Sequence, residues 1–358
     1  MSRQDHSDQD RTPMTDATGA PRATRTTPST DGPEATGPDA AGPAGAARSR
    51  PREDAAPDTS DSPGAGTTGS RAAGARATAT RATGASTTVR LTELTWRQVR
   101  DAGEQAVALL PIGSQEQHAG HLPMGTDTLL VEAVTDRATA LLDAEPAAPA
   151  LVRLPTLPFG HSPHHLFAAA LSLSAPTLAA VLDDLLDSLV TSGYRRIMIV
   201  NGHGGNDEIM RLAAKRFALR ARATVATCSY WTLATGEAAG ERPERTPGHA
   251  GWFETSLMLA AHPGLVRTPV PPRPPVEPPP LFDRPPHPGL TVERHGEWAR
   301  VGGSTDDASG ADAAQGMRLL DDRARGLARA ILAFDAATAT DPVSPAQNAP
   351  VRAARGES

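Results

Sequence analysis

Apolar side chains become periodic only from about Val89, and their spacing then alternates between unbroken runs and helical stripes. "AVALLPIG" (Ala106 to Gly113) is a short apolar run closed by Pro and Gly, the pattern of a buried strand. "DTLLVEAVTDRATALLDA" follows, with Leu129, Leu130, Ala133, Val134 and Leu141 at helical spacing. "ALVRLPTLPFG" reads as a strand entering a loop. "SAPTLAAVLDDLLDSLVTSG" reads as a helix with Ser174 as its cap and Gly193 as its stop; Leu178, Val181, Leu182, Leu185, Leu186 and Leu189 share one broad face. "RRIMIV" (Arg195 to Val200) is a strand leading into the Gly-rich "NGHGGN" and a helix from about Asp207 to Arg222. "ATVATCSYW" supplies another strand and "GWFETSLMLAAH" opens another helix. The last periodic segment repeats Met317, Leu320, Ala324, Leu327 and Ile331 at helical spacing. Strands alternating with helices predict an α/β fold, with one mostly parallel sheet covered on both faces. In such sheets functional side chains gather in loops beyond the carboxyl ends of the strands.

Composition narrows the folded part. Residues 89–337 span roughly 250 residues, the size of one α/β domain. Residues 1–88 are Ala, Thr, Gly, Pro, Ser, Asp and Arg with almost no large apolar side chains, so burial cannot offset the entropy of ordering. They are expected to form a disordered tail, as are residues 338–358. The stretch 267–289 is too rich in proline for helix or central strand, and is expected as a solvated polyproline II insertion rather than a docking ligand. No internal repeat is found. Cys228 is the sole cysteine, which excludes an internal disulfide and a thiolate-rich zinc site; it is expected to be inert strand packing. No secretory core or membrane-length apolar run is present, so the protein is expected in the cytoplasm, with no membrane partner. A net charge of -6 with scattered arginines gives no basic stripe for nucleic acid.

The chemistry collects at three places. In "PIGSQEQHAGHLPMGTDT" (Pro111 to Thr128), Glu116 and His118 lie beyond a strand end with one residue between them, so in extended chain both side chains project to the same side. Asp127 follows a turn at Pro123 and Gly125 and opens a helix, where a carboxylate is either a cap or a ligand. In "NGHGGN", His203 is flanked by Gly202, Gly204 and Gly205 at another strand-to-helix loop. No phosphate-loop pattern is present, so His203 reads as a metal ligand or proton shuttle. In "GHAGWFETS", Glu254 either complements a helix dipole or joins His249 and the other groups in a metal shell. Acids and imidazoles without thiolates make a hard donor set suited to Zn, Mn or Fe in a dinuclear hydrolytic centre, with Asp127 as a natural bridge. Ser114 and Ser256 lie nearby, but no GxSxG elbow supports serine hydrolysis.

Together the three segments resemble those of the creatininase (creatinine amidohydrolase) family, in family order and spacing, over about Arg90 to Ala337. The resemblance implies a layered α/β/α single domain, a homo-oligomer (a hexamer), and two divalent metal ions per subunit, zinc first with manganese or iron as alternatives. It places Glu116, His118, Asp127 and His203 on metal-ligand positions, with Asp127 bridging. His249 falls on the histidine of substrate binding and proton transfer. Creatinine-hydrolysing members carry a further glutamate ligand where this chain has Gly205, and the resemblance then implies Glu254 as ligand and, with His249, as catalytic group. The FPGT turn is replaced by "FAAALSLS" (Phe167 to Ser174). The loop "FGHSPHHLF" matches a substrate loop, so Ser162 and His165, with Gly204, are expected to bind substrate. His161 and His164 read either as water-facing or as part of a three-histidine metal site. The implied activity is hydrolysis of a non-peptide C–N bond in a small amide, cyclic amide or formamide by a metal-activated water. The alternatives are peptide processing of the mycofactocin type and a non-catalytic metal-binding protein acting through its Pro-rich segment.

Overall fold

The computed structural model describes residues 87–339, Pro274 excepted, so the expected tails fall almost wholly outside the described residues. Five strands form one sheet: β1 (Thr88–Arg90), β2 (Val107–Ile112), β3 (Leu151–Arg153), β4 (Arg196–Asn201) and β5 (Thr224–Ser229). They lie in the order β1-β3-β2-β4-β5 and every pairing is parallel.

Period-two alternation along the central strands builds a core on each face. Val107, Leu109, Met198 and Val200 point into one cluster, and Ala108, Leu110, Ile197 and Ile199 into the other. The first cluster is closed by α2 (Thr126–Asp143), α5 (Trp252–Ala261) and α7 (Ala313–Thr338). The second is closed by α1 (Trp96–Gly103), α3 (Ala175–Thr191) and α4 (Asp207–Ala218). A three-layer α/β/α sandwich results, as expected. On the first face α7 lies across both α2 and α5. Its Gly316 crosses α5 so closely that a Cβ would sit 1.8 Å from the Ser256 carbonyl.

Ser174 caps α3, its hydroxyl accepting from the Thr177 N–H at 3.3 Å, and Gly193 ends the segment with φ +108. Two expected core positions differ. Leu141 and Met317 share the helical spacing but are exposed, because α2 and α7 turn their Leu142 and Leu319 to the sheet instead.

The Pro-rich stretch contains neither helix nor strand among its described residues, but it is not simply a solvated insertion. The Arg273 guanidinium donates to the Thr305 and Val301 carbonyls at 3.1 Å. Phe282 stacks on Trp298 in the short helix α6 (Glu297–Arg300), with ring centres 4.0 Å apart. No described helix is long and apolar enough to cross a membrane.

Candidate metal centre

Parallel register sets Ile112, Asn201 and Ser229 side by side, so the loops after β2, β4 and β5 leave one edge of the sheet. The first of these carries Glu116 and His118. Its backbone is braced by the "FAAALSLS" segment: the Gln117 N–H donates to the Ala169 carbonyl, and the Leu171 N–H to that of Gln115, both at 2.8 Å. The second holds His203, whose N–H and carbonyl are both gripped by the Asn201 side chain, at 3.0 and 2.7 Å. The Asn206 side chain ties this loop to its neighbours, donating to the Gly113 carbonyl and accepting from the His161 N–H. Asp127 stands in the first turn of α2 but is not its cap. Gly125 holds that position, and the carboxylate turns inward.

Four buried groups meet around Asp127. Its oxygens lie 3.2 Å from His118 Nε2 and 3.2 Å from His203 Nδ1. His203 Nδ1 is also 3.3 Å from Glu116 Oε1, and His118 Nε2 is 3.7 Å from Glu254 Oε2. The ligand-capable atoms of Glu116, Asp127 and His203 form one compact group, those of His118, Asp127 and Glu254 a second, all within 4.8 Å of one another inside each group. Asp127 belongs to both. Glu116 Oε1 and Oε2, His118 Nε2 and Asp127 Oδ2 are buried without a hydrogen-bond partner despite these short approaches. Unsatisfied acceptors and imidazole nitrogens facing one another at this spacing fit a divalent cation.

The surrounding hydrogen bonds aim these atoms. His203 Nε2 sits 3.0 Å from the His161 carbonyl, which leaves Nδ1 for the cluster; His118 Nδ1 sits 3.1 Å from the Glu116 carbonyl, which leaves Nε2. Glu254 accepts from the Ala250 N–H at 2.6 Å. Ala119 and Ala250, the residues directly after His118 and His249, have φ of 53 and 51, a left-handed conformation that non-glycine residues rarely hold.

Charge in the cluster follows the carboxylates. Burial opposes ionisation of Glu116, yet His203, His249 and His118 hold its carboxyl well below the usual range. Burial opposes protonation of His118 too, but Asp127 and Glu254 push it up to about 10; His203 is raised well above its ordinary value against the same burial by Glu116 and Asp127. Burial pushes Glu254 up to about 8. The carboxylates therefore attract positive charge, whether from protons or from a metal. Burial instead lowers His249 well below its ordinary value, His165 to about 3 and His164 to about 4, leaving neutral imidazoles.

A cavity of about 450 Å³ opens over the cluster, lined by His165, Gly204 and His249 among others. His249 keeps Nε2 on the Gln117 carbonyl at 2.9 Å, and its Nδ1 lies 3.5 Å from Glu116. Ser162, expected to touch substrate, does not line the cavity. It is fully buried behind the cluster, with its Oγ 3.1 Å from His203 Nε2 and 2.5 Å from Ser114 Oγ. His161 and His164 do line the cavity. His121 is held by Thr255 Oγ1 at 2.9 Å, outside the cluster. At Gly205 a Cβ would lie 2.2 Å from the His161 carbonyl and 2.6 Å from His203 Nε2, so no glutamate fits there. Sequence reading passed over Gln117, whose amide lies 2.9 Å from His165 Nδ1 and 2.8 Å from the Gly303 carbonyl, although it stands between two singled-out residues. It also passed over Trp298, Glu208 and Glu293, which line the cavity, and Cys228 proves half-buried, its thiol pushed up to about 12 by burial.

The family model described as "Creatininase: Creatinine amidohydrolase" matches residues 92–331. The chain belongs to the creatininase family. Among its relatives, the creatinine amidohydrolase of Pseudomonas putida is 32% identical over 201 residues, covering 51% of this chain and 75% of that protein. The mycofactocin precursor peptide peptidase of Mycobacterium tuberculosis is 36% identical over 167 residues, covering 45% of this chain but only 60% of that protein. A solved structure described as creatininase Mn superposes with a TM-score of 0.55 at 30% identity, covering 68% of this chain and 97% of that one. The fold expected of a creatininase is therefore the fold observed.

Proposed function

We propose that this creatininase-family chain is a metal-dependent amidohydrolase that cleaves a C–N bond in a small amide, cyclic amide or formamide. One observation carries the reading: two buried ligand groups share Asp127. Glu116, Asp127 and His203 would hold one divalent ion, and His118, Asp127 and Glu254 the other, with zinc, manganese or iron all matched by this donor set. Glu254 takes the place of the ligand for which Gly205 leaves no room. Bound ions of this kind polarise a carbonyl and lower the pKa of a water towards about 7. The protein's own contribution is to seat the amide between His165 and Gly204, and to use His249 Nδ1, whose lone pair is free while Nε2–H donates to the Gln117 carbonyl, to take a proton from the attacking water and pass it to the leaving nitrogen. Convergence of all five acids and imidazoles supports catalysis over a purely metal-binding role. The single cysteine and the absence of a spanning helix among the described residues fit a cytoplasmic enzyme.

Metal analysis, combined with ammonia release from primary amides and with detection of the new carboxylate from cyclic amides and formamides, tests this. Asp127→Ala is expected to lose both ions, and His118→Ala only one; both variants and the chelated protein are expected to be inactive. Full activity in His118→Ala would overturn the assignment. A second reading, peptide processing, is favoured by the 36% identity to the mycofactocin peptidase and by a further cleft of about 960 Å³ that shares Pro247 and Gly248 with the cavity. Cleavage of a peptide but of no small amide would select it.

A further inference from the structure

His249 stands in a turn that cannot hold itself. Gly248 and Ala250, on either side of it, have φ of 62 and 51, and Gly251 takes the cap position of α5 with no side chain to fill it. Left-handed backbone at a non-glycine residue is costly, and the first N–H groups of a helix have no partner inside it. The segment "GSTD" (Gly303 to Asp306) supplies what is missing. The Thr305 hydroxyl accepts from the His249 N–H at 2.7 Å, and the Thr305 N–H donates to the His249 carbonyl at 3.1 Å, so both backbone polar groups of His249 end on one residue. Asp306 Oδ1 lies 3.2 Å from the same hydroxyl and accepts its proton, which leaves an oxygen lone pair for His249. Asp306 Oδ2 accepts from the Trp252 N–H at 3.0 Å, capping α5 from 54 residues along the chain, and pairs with Arg245 at 3.1 Å. Glu254 depends on this turn twice, since it rides in the first turn of α5 and accepts from the Ala250 N–H. The His249 ring is reached from the same segment by another route: its Nε2 rests on the Gln117 carbonyl, and the Gln117 amide donates to the Gly303 carbonyl at 2.8 Å. Missing side chains permit the approach. A Cβ at Gly251 would sit 1.7 Å from Asp306 Oδ1, and one at Gly303 2.3 Å from the Gln117 amide nitrogen. Thr305 and Asp306 line the further cleft and not the cavity over the cluster, so their reach into the site runs through His249 and Glu254.

We infer that Thr305 and Asp306 are positioning residues of the hydrolytic step: Thr305 sets where His249 Nδ1 stands, and Asp306 sets the first turn of α5 and with it Glu254. The part played through His249 rests on the amidohydrolase reading; the part played through Glu254 rests on metal binding alone. The test uses the full-length, zinc-loaded protein and an amide that the wild type hydrolyses. Thr305→Val keeps the side-chain shape but offers no oxygen, and is expected to lower kcat about 10- to 100-fold, the cost of a displacement on the order of 1 Å, with KM and zinc content unchanged. Thr305→Ser returns the hydroxyl and is expected to bring kcat back to within about threefold of the wild type. Asp306→Asn is expected to weaken zinc about tenfold at one of the two ligand groups, read by competition with a chromophoric chelator, and to leave the other unchanged. Circular dichroism melting confirms that each variant folds, and Thr305→Ala is read in place of the valine variant if that one does not. Equal kcat in the valine and serine variants, a loss of kcat in Thr305→Val matched by a loss of zinc, or wild-type zinc affinity in Asp306→Asn overturns the inference. If the wild type hydrolyses no amide, the amidase reading fails, and the zinc titration of Asp306→Asn still decides whether this segment acts on the site.

Discussion

Ser162 is buried against a candidate ligand rather than in the cavity lining, so its expected role shifts from substrate to metal. It sits against His203 Nε2, on the side of the ring away from Asp127 and Glu116. Ser162→Ala is therefore expected to weaken metal affinity by about 10- to 100-fold, the range for losing an outer partner of a ligating histidine. KM measured at saturating metal is expected to stay put; a raised KM with unchanged metal affinity would return Ser162 to the substrate. Glu116, His118, Asp127, His203 and Glu254 were legible as candidates because donor chemistry was concentrated at strand ends. Ser162's true neighbour was not, since the direction of a loop hydroxyl depends on turns that residue types do not specify. Trp298 was illegible for another reason: nearly fifty residues separate it from His249, and only folding brings the rings to 5.9 Å.

Strands and helices followed the apolar pattern closely, and the misses have physical causes. α1 went unread although Thr95 and Gln98 form a capping box, because it is two turns long and rich in polar residues, with only Val99 and Ala102 packed against the core. α4 stops at Ala218 rather than near Arg222, the chain turning there to enter β5. Less visible still was the tether between α7 and the loop that joins β5 to α5. Asp322 is fully buried and accepts from the Thr235 and Glu237 N–H groups at 3.1 and 3.2 Å, beside buried Arg323. Burial would raise its pKa, but the hydroxyl of Thr235, these two N–H groups and Arg323 lower it. A depressed carboxyl contributes stability above its unfolded value of about 3.9 and loses that contribution as pH falls through the folded value. Asp322→Asn is expected to cost about 1–3 kcal/mol at neutral pH. Urea unfolding at descending pH is expected to show the gap closing below about pH 4; a constant gap would mean that packing rather than charge is at stake.

For the molecule as a whole, metal and fold are expected to be coupled, since a bound cation would compensate buried acids and imidazoles that lack a hydrogen-bond partner. At free metal 100-fold above Kd, linkage adds about 2.7 kcal/mol, so chelation is expected to lower Tm measurably, and an unchanged Tm would count against a structural cation site. Assembly is a second expectation at this scale. Phe159, Leu166, Phe167 and Leu171 expose apolar surface along one loop beside the cavity, and light scattering is expected to give a multiple of the 37.2 kDa chain mass. A monomeric mass would leave that surface without a covering copy. The packing of α7 has one more effect. Asp127 rides on α2 and Glu254 on α5, and α7 lies across both, with Gly316 pressed onto α5. Leucines such as Leu319 and Leu327, buried under α7, are therefore expected to tune the separation of the two carboxylates, and with it the ion the site would hold, through the packing of α2 and α5.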